Sequence, residues 1–421
     1  MYQATGGTPV PGTTRSAYPA YAMAAVASCV TAMILLFPEA SFTASVRGLR
    51  LWFEVVFPAL LPFFVMSEIM MGLGVIHFIG VVLEPLMRPL FRIPGAGAFA
   101  VAIGLAAGYP LGAKVTADLR RARLITSPEA ERLVSLANTA DPLFLSGAVA
   151  VGMFALPELA GTLTLAHYLG VIGVGLVMRY HARGGEETRE ARSSGAVLER
   201  ALAALRDARA RDGRPIGELF GDAVRNSMNS LLFVGGSIIM FSVILEVLTI
   251  AGIVPLAAQA LAAGLGALHL HATVADAIVR GLVEITIGAQ TASTASASLL
   301  EKAVAASAVI GWSGLSVHAQ VAVMVHGTGI RLGPYIAARS LHAALAAAWT
   351  WLLLGPLGAQ AGARLPGLAT LTPLWAAQSV SFGARLYHAT ATATQLAVGM
   401  LLVVAAGWIL RRLAVFWTRL V

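Results

Sequence analysis

The chain has 421 residues and only 50 charged side chains, 29 Lys and Arg against 21 Asp and Glu, so 12% are charged where an ordinary soluble domain carries about 25%. Hydrophobic residues make up 57%, and 43 glycines bring the apolar fraction to about two thirds, more than a soluble globule of this size has use for. A single cysteine, Cys29, excludes a disulfide framework and a cysteine-based zinc site, and the scarcity of charge excludes a disordered or fibrous chain. The expected class is an all-α polytopic membrane protein. At about 20 residues per span the apolar runs supply roughly eight to ten membrane-embedded segments.

Residues 1–17 are small and polar, and Tyr18 to Phe37 is the first long apolar run. It reads as a spanning helix; a cleaved signal peptide is the rival reading, because small residues follow from Ala40 to Ser45. From Leu49 to Phe91 the sequence is apolar but carries Glu54, Pro58, Pro62, Glu68, Glu84, Pro85 and Pro89, which predicts broken or kinked helices. Glu68 and Glu84 have Arg88 and Arg92 as structural partners in reach. An Ala/Gly-rich run then ends in Gly108-Tyr109-Pro110-Leu111-Gly112-Ala113-Lys114, and a basic turn of Arg120, Arg121 and Arg123 follows. Ser127 as N-cap, Pro128 at the first helical position and Glu129 and Glu131 in the first turn start the next helix. It is interrupted at Asn138-Thr139-Ala140-Asp141-Pro142 and resumes to Phe154, and Leu159 to Met178 leads to a charged loop.

Between Arg179 and Arg225, ten Arg and eight Asp or Glu place 18 of the 50 charges in 47 residues. This loop lies in water, and its arginine excess puts it on the cytoplasmic side. An amphipathic helix is expected from Val197 to Ala210. The net charge of +8 does not point to nucleic acid, because the acids interleaved with the arginines cancel the field that phosphates require.

After the loop the plan repeats. Asn226 to Ile250 and Val254 to Leu270 are apolar, and Ala275 to Ser298 is rich in Gly, Thr and Ser around Glu284-Ile285-Thr286-Ile287-Gly288-Ala289-Gln290. Ala303 to Val325 is broken at Gly311-Trp312-Ser313-Gly314-Leu315-Ser316. Gly112-Ala113-Lys114 falls against Gly288-Ala289-Gln290 at an offset of 176, and Asp141-Pro142 against Gly314-Leu315 at 173. The reading is two inverted repeats, each with a re-entrant hairpin and a broken helix. The expected divisions are 1–43, a tail and first transmembrane helix; 44–180, the first repeat; 181–215, the cytoplasmic loop; 216–355, the second repeat; and 356–421, ending in a final span from Leu396 to Leu410.

Lipid offers no partner to backbone N–H and C=O, so polar breaks at membrane depth persist only where protein or a water-filled cavity surrounds them. Paired breaks in two halves therefore mark a midplane site, with half-helix N-termini available to anions. Tyr109 to Gly112, Asn138 to Pro142, Thr286 to Gly288 and Ser313 to Ser316 are the four breaks. Asp141 and Glu284 are intramembrane charges with apolar flanks, each costing about 2.5 to 3.5 kcal/mol if it faced lipid. Lys114, one of two lysines, belongs either to the site or to the cytoplasmic turn with Arg120. His318 and Gln320 follow the second broken helix and are placed on the same cavity. No metal-ligating cluster, phosphate loop, nucleophile elbow or zinc-protease signature is present, so neither catalysis nor a cofactor is expected.

Gly108 to Lys114 with Asp118-Leu119-Arg120, Leu136-Ala137-Asn138-Thr139 with Pro142-Leu143-Phe144, and Gly314-Leu315-Ser316-Val317-His318-Ala319-Gln320 together resemble the YlbJ-type sporulation integral membrane proteins over most of residues 45–350. These proteins contain nucleoside-recognition or Gate repeats similar to the hairpin and broken-helix core of concentrative nucleoside transporters. The resemblance implies residence in the outer forespore membrane and transport of dipicolinate from the mother cell; Asp141 stands where the family usually has a small residue. A planar dianion would need backbone N–H groups, hydroxyls, a cation and an apolar wall. Thr139, Thr286, Thr291, Ser313 and Ser316 are the hydroxyls, Lys114 the cation, and Tyr109 and Trp312 the walls. Asp141 or Glu284 would bind a coupling proton or Na⁺. Two other classes stay open: a nucleoside-type permease hydrogen-bonding through Asn138, Gln290 and Gln320, and a non-transporting assembly factor acting through the loop. Partners are the bilayer and a small organic anion; oligomerisation with identical chains is open.

Overall fold

The computed structural model describes residues 18–188, 196–266 and 271–356 and is helical throughout, with no strand among these residues. The helices are α1 (Tyr18–Leu36), α2 (Pro38–Arg50), α3 (Phe57–Gly72), α4 (Val75–Leu86), α5 (Gly97–Ala107), α6 (Leu111–Arg121), α7 (Ser127–Ala137) and α8 (Leu159–Met178) before the charged loop. In and after it come α9 (Val197–Asp212), α10 (Ile216–Ile250), α11 (Ile253–Gly266), α12 (Thr273–Val283), α13 (Ile285–Thr294), α14 (Leu299–Trp312), α15 (Gly314–Val325) and α16 (Leu332–Leu354). Pro38–Gly72, Leu159–Met178, Ile216–Ile250 and Leu299–Val325 are long and apolar enough to cross a bilayer, and shorter apolar helices accompany them. The polar tail of residues 1–17 and the final span from Leu396 to Leu410 lie outside the described residues.

The prolines act as their chemistry requires. Pro58 has no N–H to offer the Glu54 carbonyl, and just before it the ladder widens into a π-helical stretch, Leu51–Val56, in which the Phe57 N–H reaches Trp52 O five residues back. Pro85 stands ahead of a second such stretch, Met87–Phe91. α2 therefore continues through the π turns into α3 as one run. Two sequence expectations shift. The N-cap of α7 is Thr126, not Ser127, because only Thr126 has a glutamate at N3: its hydroxyl accepts from the Glu129 N–H and the Glu129 carboxylate accepts from the Thr126 N–H. α10 begins at Ile216, ten residues before the apolar run, since Pro215 starts the helix and its first turns carry Glu218 and Asp222 outside the hydrocarbon. Its 35 residues span about 52 Å, well beyond a hydrocarbon core of about 30 Å.

The α2–α3 run and α10 form an antiparallel pair. Arg47 binds Glu246, the Trp52 indole N–H donates to Leu231 O at 3.0 Å, Asn226 donates to Glu68 at 3.1 Å, and Gly72 closes against Leu219. α1 packs on α10 and α2 of this pair, and the remaining helices make a larger body in which α16 packs on α8 and α14. Each half of that body contributes a hairpin, α5–α6 or α12–α13, followed by a broken helix: α7 with the π-helical Phe144–Met153, and α14 with α15. In the first half the broken helix starts at the face of the charged loop, where Glu129 accepts from Thr188 Oγ1 at 2.6 Å and Arg132 donates to His181 O at 2.7 Å. In the second half the broken helix ends at that face, where Arg121 donates to Met324 O at 2.9 Å and Arg331 donates to Glu131 at 2.7 Å. The two units thus run in opposite senses.

Candidate functional site

Glycines decide how closely the hairpins approach the breaks. A Cβ on Gly104 would stand 1.8 Å from Ala137 O and one on Gly112 2.1 Å from the same oxygen, so α5 and α6 press directly on the end of α7. At the second break Ser313 adopts the left-handed conformation (φ 79°), and Gly314 (φ 75°) leaves room for the tip of the other hairpin, with Ile285 N 2.9 Å from where its Cβ would be. The hairpin tips also cross between halves: Ser313 Oγ donates to the Tyr109 hydroxyl at 3.0 Å, and that hydroxyl donates to Ile310 O at 3.2 Å.

A cavity of about 70 Å³ lies where the four breaks meet. Tyr109, Asp141, Glu284, Thr286, Ser316 and Gln320 line it on the side of the body, together with Ala140, Phe144, Ile285 and Val317. The opposite wall belongs to the helix pair: Val56, Leu60 and Phe64 from the α2–α3 run, and Val234, Ser237 and Ile238 from α10. The cavity therefore sits on the seam between the pair and the body.

Both carboxylates cap half-helices. Asp141 Oδ1 accepts from Leu143 N at 3.0 Å and Phe144 N at 2.8 Å, and Glu284 Oε2 accepts from Ile287 N at 2.7 Å. The half-helix N–H groups expected to face a solute anion are thus partly taken by the chain's own carboxylates, which satisfy the exposed donors and the positive end of the dipole. Ser316 Oγ is buried with no partner among the described residues.

Directly behind this wall, Asn138 is fully buried and donates to the Tyr335 hydroxyl at 2.8 Å, while its Oδ1 has no partner among the described residues. The Thr139 hydroxyl meets His167 Nε2 at 2.7 Å, and Tyr168 donates to Ala140 O at 3.0 Å. His318 lies between the rings of Trp312 and Tyr335, its Nδ1 2.7 Å from Gly314 O, and neither it nor Trp312 lines the cavity. Lys114 is 55% exposed on α6, 3.6 Å from Asp118, and also stands off the cavity. Gln290 and Thr291 line a second, outer cavity.

Sequence reading did not single out α16. It carries Tyr335, Arg339 and His342, all 0% exposed. Arg339 donates to Asn138 O at 3.0 Å and Ser135 O at 2.6 Å, so the cation sits on the C-terminal carbonyls of α7, where the helix dipole is negative. His342 Nε2 lies 3.0 Å from His167 O. The signal was present: Arg339 lies in an apolar run, four residues after Tyr335 and three before His342, which puts the three on one helix face.

A family model described as nucleoside recognition, the Gate family, matches residues 53–194. Over 330 residues the chain is 44% identical to the sporulation integral membrane protein YlbJ of Bacillus subtilis strain 168, covering 78% of this chain and 81% of that one. Among solved structures, CNTnw in an inward-facing substrate-bound state aligns with a TM-score of 0.50 at 15% identity, over 80% of this chain and 86% of the other, a likeness of fold.

Proposed function

This chain belongs to the family of the sporulation integral membrane protein YlbJ, and from that premise we propose that it transports a small organic anion, dipicolinate, from the mother cell across the outer forespore membrane. The observation that supports this reading most is the convergence of two hairpin tips and two polar helix breaks, one of each from each half, on one cavity at the seam. The charged loop of residues 181–215 faces the cytoplasm in this reading. About 70 Å³ accommodates water or an ion, so a planar aromatic solute enters only when the pair and the body part; transport is alternating access at the seam.

In the opened site Phe64, Tyr109 and Phe144 provide flat apolar walls, and Thr286, Ser316 and Gln320 provide hydrogen bonds. Asp141 and Glu284 repel a dianion unless one of them holds a proton or Na⁺, and this requirement is the coupling. A second reading draws on the same carboxylates: an uncharged polyhydroxylated solute such as a nucleoside would donate to Asp141, Glu284 and Gln320 without repulsion.

Thermal stability of the purified protein in detergent separates the readings, since a solute that binds only the folded state raises its apparent stability. Stabilisation by dipicolinate that is lost in Thr286→Val and Gln320→Ala is expected. Stabilisation by uridine alone would transfer the assignment to a nucleoside-type permease. If no solute acts, and shortening residues 186–212 abolishes sporulation function while Glu284→Ala does not, the protein acts in membrane assembly instead. Proton or Na⁺ coupling through Glu284 is refuted if Glu284→Gln leaves the rate of uptake into proteoliposomes and its pH and Na⁺ dependence unchanged.

A further inference from the structure

A second cavity, of about 420 Å³, lies on the same seam toward the face away from the charged loop. One wall is the helix pair, with Arg47 on α2 and Glu246 on α10; the other is the second hairpin, with Asp276 and Arg280 on α12 and Gln290 and Thr291 on α13. Its size suits an aromatic solute, as the inner cavity does not. Thr286 and Gln290 are four residues apart on one face of α13, so a single helix turn joins the inner cavity to the outer one.

Each wall carries an arginine whose carboxylate partner is on the same wall. Arg280 meets Asp276 through Nε alone, at 3.0 and 2.8 Å, and its two terminal nitrogens take no partner among the described residues. Arg47 holds Glu246 through a single nitrogen, Nη2. Both guanidinium groups keep an open edge, and a fork of two parallel N–H donors matches a carboxylate. Gln290 Oε1, beside them, is buried without a partner among the described residues. We propose that this outer cavity is an exit vestibule in which an organic carboxylate, arriving along α13 from the seam cavity, docks on Arg280 and Arg47 before it leaves the protein. The proposal rests on the anion reading above and adds a separate binding site to it.

The test replaces Cys29 by Ser and places a thiol in the vestibule with Gln290→Cys or, as a second position, Thr291→Cys. A membrane-impermeant thiol reagent is then timed against the purified protein in nanodiscs with dipicolinate, benzoate or uridine present. Dipicolinate is expected to slow labelling, uridine to leave it unchanged, and Arg280→Gln to raise the dipicolinate concentration needed by about tenfold or more, the loss of one charge-assisted bond. The vestibule is overturned if neither thiol reacts, if no carboxylate protects, or if protection survives both Arg280→Gln and Arg47→Gln. Slow labelling without solute in phosphatidylglycerol but not in phosphatidylcholine would assign the forks to lipid headgroups and also overturn it. Protection by dipicolinate in a protein that carries none of it into proteoliposomes would leave the vestibule standing and remove the transport reading.

Discussion

Arg339 is a fully buried cation whose acceptors among the described residues are backbone carbonyls, with no carboxylate on it. Arg132 is its counterpart near the charged loop, donating to Arg92 O, His181 O and Ala182 O. Both spend a forked donor set on backbone carbonyls at or just beyond helix ends, which lipid or a packed interior would leave unpaired. Arg339→Met is expected to lower stability by about 2 to 4 kcal/mol, the cost of two buried carbonyls losing their donor. Arg339→Lys is expected to recover less than half of that, because an ammonium does not fork; thermal unfolding in detergent measures both. Glycines divide by the same reasoning. Gly104→Ala forces a methyl against a backbone oxygen and is expected to cost about 3 kcal/mol. Gly236→Ala, in open space on α10, is expected to be neutral or to stabilise by up to about 1 kcal/mol through helix propensity.

The start of α7 ties three elements together at the charged-loop face. Glu131, 1% exposed, accepts from Arg331 at the head of α16 and pairs with His181 after α8, at 2.7 and 2.6 Å. Burial alone would raise its carboxyl, but the hydrogen bonds from Arg331 and His181 outweigh burial and hold it below the ordinary value of 4.5. A carboxyl lowered by folding binds its proton more readily when unfolded. Its stabilisation is therefore complete above the ordinary value and disappears as pH falls through the folded one. Melting temperature measured from neutral to acid pH is expected to fall below about pH 5. Glu131→Gln is expected to melt lower at neutral pH and to show a shallower acid decline; an unchanged acid limb would show that the pairs contribute nothing. Glu129 is held low in the same manner, burial opposing and hydrogen bonds from Thr126, Thr188 and Arg88 prevailing.

At the scale of the whole molecule, the seam between the helix pair and the body is smooth where they touch. Gly152 lies against Val55, and a Cβ on Gly147 would stand 3.5 Å from Ala59 Cβ, within the range a disulfide needs. Ala59→Cys with Gly147→Cys in a Cys29→Ser background is therefore expected to cross-link on oxidation. If transport requires the walls to part, oxidation abolishes uptake and reduction restores it. Full uptake by the cross-linked protein would place the motion elsewhere.

The all-helical membrane class, the two hairpins and the two breaks were legible in the sequence because each leaves a local mark: an apolar run, a glycine that permits close approach, or a polar residue that lipid forbids. The opposite sense of the two units was decided by contacts at the loop face, such as that of Arg121 with Met324 O. Tyr109, Asp141, Glu284, Thr286, Ser316 and Gln320 were legible as neighbours from the same local marks, whereas Asn138 and Thr139 of the same breaks turn instead to Tyr335 and His167 behind the cavity. Lys114 shows the limit of the argument. A lysine at a hairpin end looks the same in sequence whether its helix turns it inward or, as here, toward Asp118 and water. The apolar wall of Val56, Leu60, Phe64 and Ile238 left no mark, because a residue facing a cavity and one facing lipid are both simply apolar. The role of Arg339 was likewise set by a contact 201 residues away in sequence, with Asn138 O. Local chemistry determined which segments break; only tertiary packing, through long-range backbone contacts and the closing of the seam, decided which side chains surround the cavity and which cation lies behind it.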